Sequence, residues 1–220
     1  LGAAATMAEV AAHPGVIEQF PVIFEALLNS ASPQVRNQAT MGGNLLQRTR
    51  CPYFRDVGYA ACNKRAPGSG CSAIRGENRW HALLGTSENC IAANASDLAV
   101  ALVALDAFVE VRGTNGQRTV PLMELHRLPG DTPHIETVLE PGEVITAIKA
   151  RVALGGVGTK PWRVCRVEAV LAGASLDPAA LRPAAVLAAE GARGRGHNDF
   201  KIELMQRVIV RAVETAGVRA

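Results

Sequence analysis

Cysteine is the residue in this 220-residue sequence whose type and spacing most directly suggest chemistry. Four of the five cysteines fall in one stretch (Cys51, Cys62, Cys71 and Cys90), and Cys165 lies apart. An odd number cannot be paired completely in internal disulfides, whereas four thiolates form a complete ligand set for zinc or for an iron–sulfur cluster. The sequence contains no C-x-x-C pair, so the spacing alone leaves metal binding and buried structural thiols equally open.

The surroundings of these four cysteines favour a metal centre. They include the polar, turn-forming segment 66–70 (Ala-Pro-Gly-Ser-Gly), which is not typical of a packed core. Between Arg48 and Arg79 there are seven basic residues against two acidic ones, a larger excess than the net charge of +3 of the whole chain. Positive charge favours thiolate over thiol. We therefore predict that the four cysteines hold a metal, either zinc or iron–sulfur on these grounds, and interpret Cys165 as structural.

A short glycine motif, Thr40-Met-Gly-Gly-Asn44, is the second candidate site. Gly42 and Gly43 allow the backbone to approach a ligand closely or to adopt positive φ, and the N–H groups of such a turn can bind a phosphate. An ordinary turn is the alternative that the motif alone leaves open. The histidines (13, 81, 126, 134 and 197) form no H-E-x-x-H or similar pair, so we interpret each as a surface or hydrogen-bonded residue.

Capping and turn signals predict the elements that position these residues. Thr6-Met-Ala-Glu9 is a capping box, and Ser96 followed by Asp97 is typical of a helix start. Asn115-Gly116 between two β-prone runs predicts a hairpin with a type I′ turn. The predicted helices cover residues 7–12, 22–28, 97–105, 167–172, 178–189 and 199–216, and the predicted strands cover 108–112, 118–120, 144–148 and 152–154. The last helix is predicted to carry one apolar face, formed by Phe200, Leu204, Met205, Val208, Ile209 and Ala212.

Residues 45–89 lack regular periodicity. A loop of this length is uncommon in a compact domain unless something organises it, and a metal centre would do so. Elsewhere the composition, 48% hydrophobic and 20% charged, is ordinary for a soluble globular protein. No stretch reaches the roughly 18 unbroken apolar residues of a membrane-spanning helix, and the net charge is too small to indicate nucleic-acid binding.

Segments on both sides of the cysteine-rich stretch resemble the FAD-binding subunit of the xanthine oxidase family of molybdenum enzymes. They are Gln34–Leu45 (QVRNQATMGGNL) and Ala95–Asp106 (ASDLAVALVALD), followed by 139–145 (LEPGEVI) and 153–163 (ALGGVGTKPWR). Most members of the family pass directly from the glycine motif into the Ser-Asp helix. The inserted cysteines resemble the members that oxidise aldehydes in the periplasm or reduce 4-hydroxybenzoyl-CoA, which carry an additional [4Fe–4S] cluster, and the aldehyde oxidoreductase version is the more similar.

The resemblance implies an α+β fold with two domains. A FAD-binding domain of the vanillyl-alcohol-oxidase (PCMH) type would cover residues 1–149, with an iron–sulfur insertion at 46–92. A smaller α+β domain of the CO-dehydrogenase flavoprotein type would cover 150–220. The resemblance further implies a [4Fe–4S] cluster on Cys51, Cys62, Cys71 and Cys90, no catalytic residue on this chain, and FAD contacts from Gly2, Ala3, Thr6, Thr40, Gly42, Gly43, Asn44 and Asp97.

The activity implied by the resemblance is electron transfer within an aldehyde oxidoreductase. Aldehyde would be oxidised at a molybdenum cofactor on a large partner subunit, and electrons would pass through [2Fe–2S] clusters on a small partner to FAD on this chain, then to an external acceptor. The three subunits would form a heterotrimer. We expect it in the periplasm, exported with a partner subunit, or in the cytoplasm.

Two departures from the family pattern and two rival interpretations accompany this resemblance. The family's N-terminal glycine-rich pyrophosphate loop and several strands after Lys149 have no counterpart here, so we expect the sequence to be part of a longer chain. One rival is a Cys₄ zinc-binding interaction module with a basic loop. The other keeps the flavin fold and makes the cysteines inert thiols. Zinc or iron content together with flavin absorbance distinguishes all three.

Overall fold

The computed structural model of the chain describes residues 1–149, 165–171 and 177–218, which form helices and a three-stranded sheet and confirm the α+β class. None of the helices in these ranges is long and apolar enough to span a bilayer. The strands are β1 Phe108–Gly113, β2 Gly116–Pro121 and β3 Val144–Lys149. The helices are α1 Met7–Ala12, α2 Pro14–Gln19, α3 Pro21–Ser30, α4 Pro33–Arg36, α5 Met41–Leu45, α6 Pro52–Arg55, α7 Asp97–Ala104, α8 Leu122–Leu125, α9 Cys165–Leu171, α10 Pro178–Ala188 and α11 Phe200–Val218.

The first helix forms as its capping box predicts. The Thr6 hydroxyl accepts a hydrogen bond from the Glu9 N–H at 3.1 Å, and the Glu9 carboxylate accepts one from the Thr6 N–H at 2.7 Å. The sequence predicted that the chain would leave helical structure before Pro14, but α2 begins there at once. Proline is tolerated in a first helical turn because its missing N–H would have no partner there, and the His13 side chain caps α2 by accepting from the Gly15 N–H.

The sheet has the strand order β2-β1-β3, with both neighbouring pairs antiparallel. The β1–β2 hairpin was predicted, but its type I′ turn was wrong. Gly113 pairs with Gly116, so the two turn residues are Thr114 and Asn115, and only Gly116 has a positive φ, of 107°. A type I′ turn needs positive φ at both central residues, and Asn115 does not adopt it.

The main core lies between the sheet and the N-terminal helices, with α7 at its centre. Leu98 and Leu102 of α7 and Val109 and Val111 of β1 are completely buried. These apolar positions follow the helical and strand periods that the sequence shows. Helix α7 is buried over most of its length, and Asp97 in its first turn is exposed.

The C-terminal helices have a small core of their own, formed by Val167, Ala184 and Ala188. The apolar face predicted for α11 is buried only in part. Met205 is buried and Ile209 packs against that core, whereas the side chains of Phe200, Leu204 and Val208 are exposed by 41–55% of their area. The predicted strand 152–154 lies outside the described residues.

Acidification should weaken the hairpin through Glu143. Arg118 of β2 binds both carboxylate oxygens of Glu143 at 2.7 Å, and the Glu140 N–H adds a third bond; these lower the pKa of Glu143 from 4.5 to about 2. A carboxyl with a depressed pKa stabilises the folded state above its unfolded pKa, and this contribution is lost as the pH falls. We expect the free energy of unfolding to fall between about pH 4.5 and pH 2, and to fall less in Glu143→Gln. Glu124→Gln, on an exposed side chain of α8, is the control, and an identical acid profile for Glu143→Gln and the wild type would contradict the prediction.

Candidate functional site

Two loops that are distant in sequence lie side by side at the candidate flavin site. The Gly42 N–H donates to the Ala3 carbonyl at 2.8 Å, the Met41 N–H donates to the Ala5 carbonyl at 2.9 Å, and Thr6 and Thr40 form a β-bridge. Gly2 is in turn bridged to Ala147 of β3. The structure therefore brings the predicted flavin residues of the N-terminal loop against those of the glycine motif.

Gly42 is the position in the motif where the close approach of the two loops requires glycine. A Cβ atom at Gly42 would lie 3.1 Å from the Ala3 Cβ and 3.2 Å from the Ala3 carbonyl oxygen. Both distances are shorter than ordinary van der Waals contact. Gly43, by contrast, is exposed, and its Cβ would meet only the Thr40 hydroxyl, at 2.9 Å.

The backbone N–H groups of this motif are already engaged within the protein. The N–H groups of Met41 and Gly42 bond to the N-terminal loop, and those of Gly43 and Asn44 donate to the hydroxyl and carbonyl of Thr40, at 3.1 and 2.9 Å. In the described conformation these four N–H groups therefore have partners within the protein, and phosphate binding by the motif stays a prediction.

Gly42→Ala should separate the two loops. The added methyl group must displace Ala3, and such overpacking typically costs about 1–3 kcal/mol. We expect a lower melting temperature and a loss of bound FAD, measured by thermal unfolding and by flavin released on denaturation. Gly15→Ala is the control, since its Cβ would meet only the His13 ring at an ordinary 3.4 Å. Full flavin occupancy in Gly42→Ala would show that this close approach does not support flavin binding.

Asn44 connects the glycine motif to the helix that carries Asp97. Its side chain is buried, its Oδ1 accepts from the Ser96 hydroxyl at 2.6 Å, and its Nδ2 donates to the Met7 sulfur at 3.3 Å. Ser96 also caps α7, as the sequence predicted, by accepting from the Ala99 N–H at 2.8 Å. Asp97 follows on the exposed first turn. The eight predicted flavin contacts thus belong to one connected region, and their contact with FAD stays a prediction.

The four clustered cysteines are free thiols, and they lie near a small satellite core of Tyr53, Ala73 and Ile91. Cys62 and Cys71 face each other across an isolated antiparallel bridge. Cys51 and Cys71 pack against the satellite core, and Cys90 directly precedes Ile91. The structure therefore places the four cysteines in one region of the chain, although within the described ranges no three His, Cys, Asp or Glu side chains are close enough to hold a metal ion as they stand. Their role as ligands stays a prediction.

Two of the four thiols, those of Cys51 and Cys90, have a pKa above the ordinary value. Burial raises the pKa of the Cys90 thiol to about 11 and also raises that of Cys51, and the charges of neighbouring cysteines add to both effects. Only Lys64 among nearby charges opposes this at Cys90. Such thiols stay protonated on their own, but a bound metal displaces their protons and neutralises the thiolates. The donor set thus fits a soft metal or an iron–sulfur cluster.

The basic residues of the insertion mainly organise its loops. Arg65 donates to the carbonyls of Tyr53 and Phe54 at 2.9 Å and also to that of Tyr59. Lys64 and Arg48 both pair with Glu136 outside the insertion. The sequence suggested that this positive charge faces the thiolates, and the structure places only Lys64 in that electrostatic role for Cys90.

Residues 193–201, here called the clamp segment, form hydrogen bonds and an ion pair with residues 78–88 of the insertion. The Arg193 N–H donates to the Leu83 carbonyl at 3.0 Å, and Arg195 pairs with Glu88 at 2.6 Å. The Asn78 side chain donates to the Arg195 carbonyl at 2.8 Å. The C-terminal part of the chain is thereby attached to the cysteine-bearing loops.

His81 is the residue of the site that the sequence did not indicate. Its Nε2 lies 3.2 Å from the Cys51 sulfur, and the residue is only 3% exposed. Burial lowers the pKa of the imidazole, which favours the neutral ring. No local signal could have identified it, because thirty residues separate His81 from Cys51.

Two family models together match almost all of the chain. The FAD binding domain in molybdopterin dehydrogenase matches residues 1–150, and the CO dehydrogenase flavoprotein C-terminal domain matches residues 138–216. The aldehyde oxidoreductase FAD-binding subunit PaoB of Escherichia coli (strain K12) is 40% identical over 258 residues, an alignment that covers all of this chain and 79% of that protein.

Solved structures with the same fold include two CO dehydrogenases and a quinoline 2-oxidoreductase. A reconstituted CO dehydrogenase from Oligotropha carboxidovorans matches with a TM-score of 0.64 at 21% identity, over 100% of this chain and 75% of that one. The carbon monoxide dehydrogenase from Hydrogenophaga pseudoflava matches with a TM-score of 0.66 at 20% identity, with the same coverage. Quinoline 2-oxidoreductase from Pseudomonas putida 86 matches with a TM-score of 0.60 at 19% identity, over 98% and 75%. At these identities the matches support the fold alone.

Proposed function

This chain belongs to the FAD-binding (medium) subunits of the xanthine oxidase family, and from that premise we propose that it is the electron-transferring subunit of an aldehyde oxidoreductase. It is an oxidoreductase subunit that binds FAD. The proposal for aldehyde rests on the 40% identity to an aldehyde oxidoreductase subunit, which extends over all of this chain and 79% of that protein. The substrate would be oxidised at a molybdenum cofactor on a large partner subunit, with [2Fe–2S] clusters on a small partner and a heterotrimeric assembly.

The observation that carries the flavin assignment is the pairing of residues 2–6 with the glycine motif. The glycine motif contacts α7, and the exposed Asp97 carboxylate at the start of that helix can accept hydrogen bonds from a ribityl hydroxyl. Asn44 and Ser96 fix the relative position of motif and helix. Bound FAD would supply two-electron and one-electron redox chemistry. The chain's own residues bind and orient the cofactor, and none of them needs to act as a general base or a nucleophile.

The second proposed cofactor is a [4Fe–4S] cluster held by Cys51, Cys62, Cys71 and Cys90. Its support is a group of four free cysteines in one region, two of them buried and two half-buried, of which Cys51 and Cys71 pack on the satellite core. Burial raises the pKa of the Cys51 and Cys90 thiols, and metal binding would displace their protons. The cluster would supply a further one-electron centre, with a potential set by burial and by hydrogen bonds to its sulfurs.

Metal and flavin analysis of the purified native complex tests both assignments. We expect one FAD per chain, flavin absorption bands over broad iron–sulfur absorption, and four more iron atoms than the [2Fe–2S] clusters of the small subunit account for. Zinc without flavin would contradict the whole proposal and support a Cys₄ zinc module. Flavin without the additional iron would overturn the cluster and leave the flavin assignment standing.

A further inference from the structure

The His81 ring is buried directly against Cys51. Its Nε2 lies 3.2 Å from the Cys51 Sγ, a normal distance for a hydrogen bond to sulfur. Protein atoms surround the rest of the His81 side chain. The residue is only 3% exposed, and the centroid of its ring lies 6.1 Å from that of the Tyr53 ring. The contact is therefore shielded from water on the histidine side, while Cys51 is half-buried, and a partly desolvated bond is stronger than one at the surface.

The backbone of His81 is fixed by the clamp segment. The Lys201 ammonium group donates to the His81 carbonyl at 2.9 Å, and the Asn198 side chain donates to the carbonyls of His81 and Ala82 at 3.4 and 3.1 Å. Asn198 is completely buried. These bonds fix the main chain at His81 in the position from which its ring reaches Cys51. The contact between His81 and Cys51 therefore depends on residues more than a hundred positions away in the sequence.

If Cys51 is a cluster ligand, the direction of the hydrogen bond between His81 and Cys51 is determined. A metal-bound thiolate has no proton to give, so a hydrogen bond between the two side chains requires Nε2–H as the donor. Hydrogen bonds to cluster sulfurs stabilise the reduced state, which carries one more negative charge, and so raise the reduction potential. Partners of this kind also orient the ligand itself.

We propose that His81 is a positioning residue of the iron–sulfur site: its Nε2–H donates a hydrogen bond to the Cys51 sulfur and raises the reduction potential of the cluster. This inference rests on the proposed assignment of the cluster to the four cysteines. It adds to that assignment a residue that touches a ligand atom and tunes the centre without binding iron.

The test compares His81→Phe with His81→Gln in the purified complex. Phenylalanine keeps a planar ring and removes the donor, whereas the Nε2 of glutamine can replace the donor. Iron and FAD per complex are measured first, and the cluster is then titrated electrochemically with detection by electron paramagnetic resonance. His134→Phe, at an exposed histidine, is the matched control.

In His81→Phe we expect full iron, full FAD and a ratio of reduced to oxidised cluster about tenfold lower at the wild-type midpoint, equivalent to about 59 mV for a one-electron couple. His81→Gln should recover most of the shift, and His134→Phe should show none. Loss of iron in His81→Phe with retention in His81→Gln would also support the donor role. Iron loss in both variants would make His81 a ligand and overturn the inference, as would an unchanged potential in His81→Phe. Absence of the additional iron from the wild type would instead reject the cluster itself.

Discussion

Cys71→Ser is expected to remove four iron atoms from the complex while FAD remains. Cys71 lies opposite Cys62 and packs on the satellite core, so its sulfur is central to the cysteine group. The flavin region depends on other bonds, between residues 2–6 and the glycine motif and between Asn44 and Ser96, which this substitution does not touch. The measurement is iron and flavin content per complex, together with loss of the cluster signal in electron paramagnetic resonance.

The local fold around Cys71 should survive the substitution. Ser72 keeps the strand pairing, because its N–H and its hydroxyl both donate to the Ala61 carbonyl at 2.9 and 3.0 Å. Cys165→Ser is the matched control, at the one cysteine outside residues 51–90. Unchanged iron in Cys71→Ser would remove Cys71 from the ligand set, and equal iron loss in both variants would point to unfolding.

Asn44→Ala is expected to have the opposite selectivity, with loss of FAD and retention of iron. The substitution leaves the Ser96 hydroxyl without its buried acceptor and removes the bond to the Met7 sulfur. An unsatisfied buried polar group costs about 1–3 kcal/mol. If the glycine motif and α7 then shift relative to each other, flavin affinity should fall about tenfold or more, since each factor of ten corresponds to about 1.4 kcal/mol.

Equilibrium flavin binding and thermal unfolding measure this effect. Asn29→Ala serves as the control, because Asn29 is exposed on α3 and its side chain bonds only to the local Glu25 carbonyl. A variant Asn44→Ala that binds FAD as the wild type does would show that the motif and Asp97 act independently.

The features that the sequence predicted well are those determined within a few residues. The capping box at Thr6 and the Ser96 cap of α7 depend on side chains three residues from their partners. Pro14 was misjudged because proline ends one helix and starts another equally well, and the choice depends on His13 accepting from the Gly15 N–H. The hairpin was predicted correctly, but its turn moved by one residue because Gly113 pairs with Gly116.

Within the candidate site, too, the sequence indicated some residues and could not indicate others. The resemblance to a known family selected the glycine motif and Asp97, and the structure then supplied the reason for their proximity in the bond from Ser96 to Asn44. His81 could not be selected, because its placement depends on Asn198 and Lys201 at the far end of the chain. The apolar face of α11 was correct only for Met205 and Ile209, since helical spacing shows which residues align but not how wide a stripe the neighbouring helix covers.

The bond between Asn44 and Ser96 joins the two ends of the cysteine-bearing segment, so the length of this segment affects the stability of the flavin region through loop-closure entropy. This bond closes a loop of 52 residues. Loop-closure entropy rises only with the logarithm of length, by about 0.6 kcal/mol for each doubling, so a connection eight times longer than a tight one costs only about 2 kcal/mol more. The flavin region can therefore host the segment whether or not it carries metal. Gain or loss of the whole segment at this position would change the loop-closure free energy by only about 2 kcal/mol, but loss would also remove its bonds to the clamp segment.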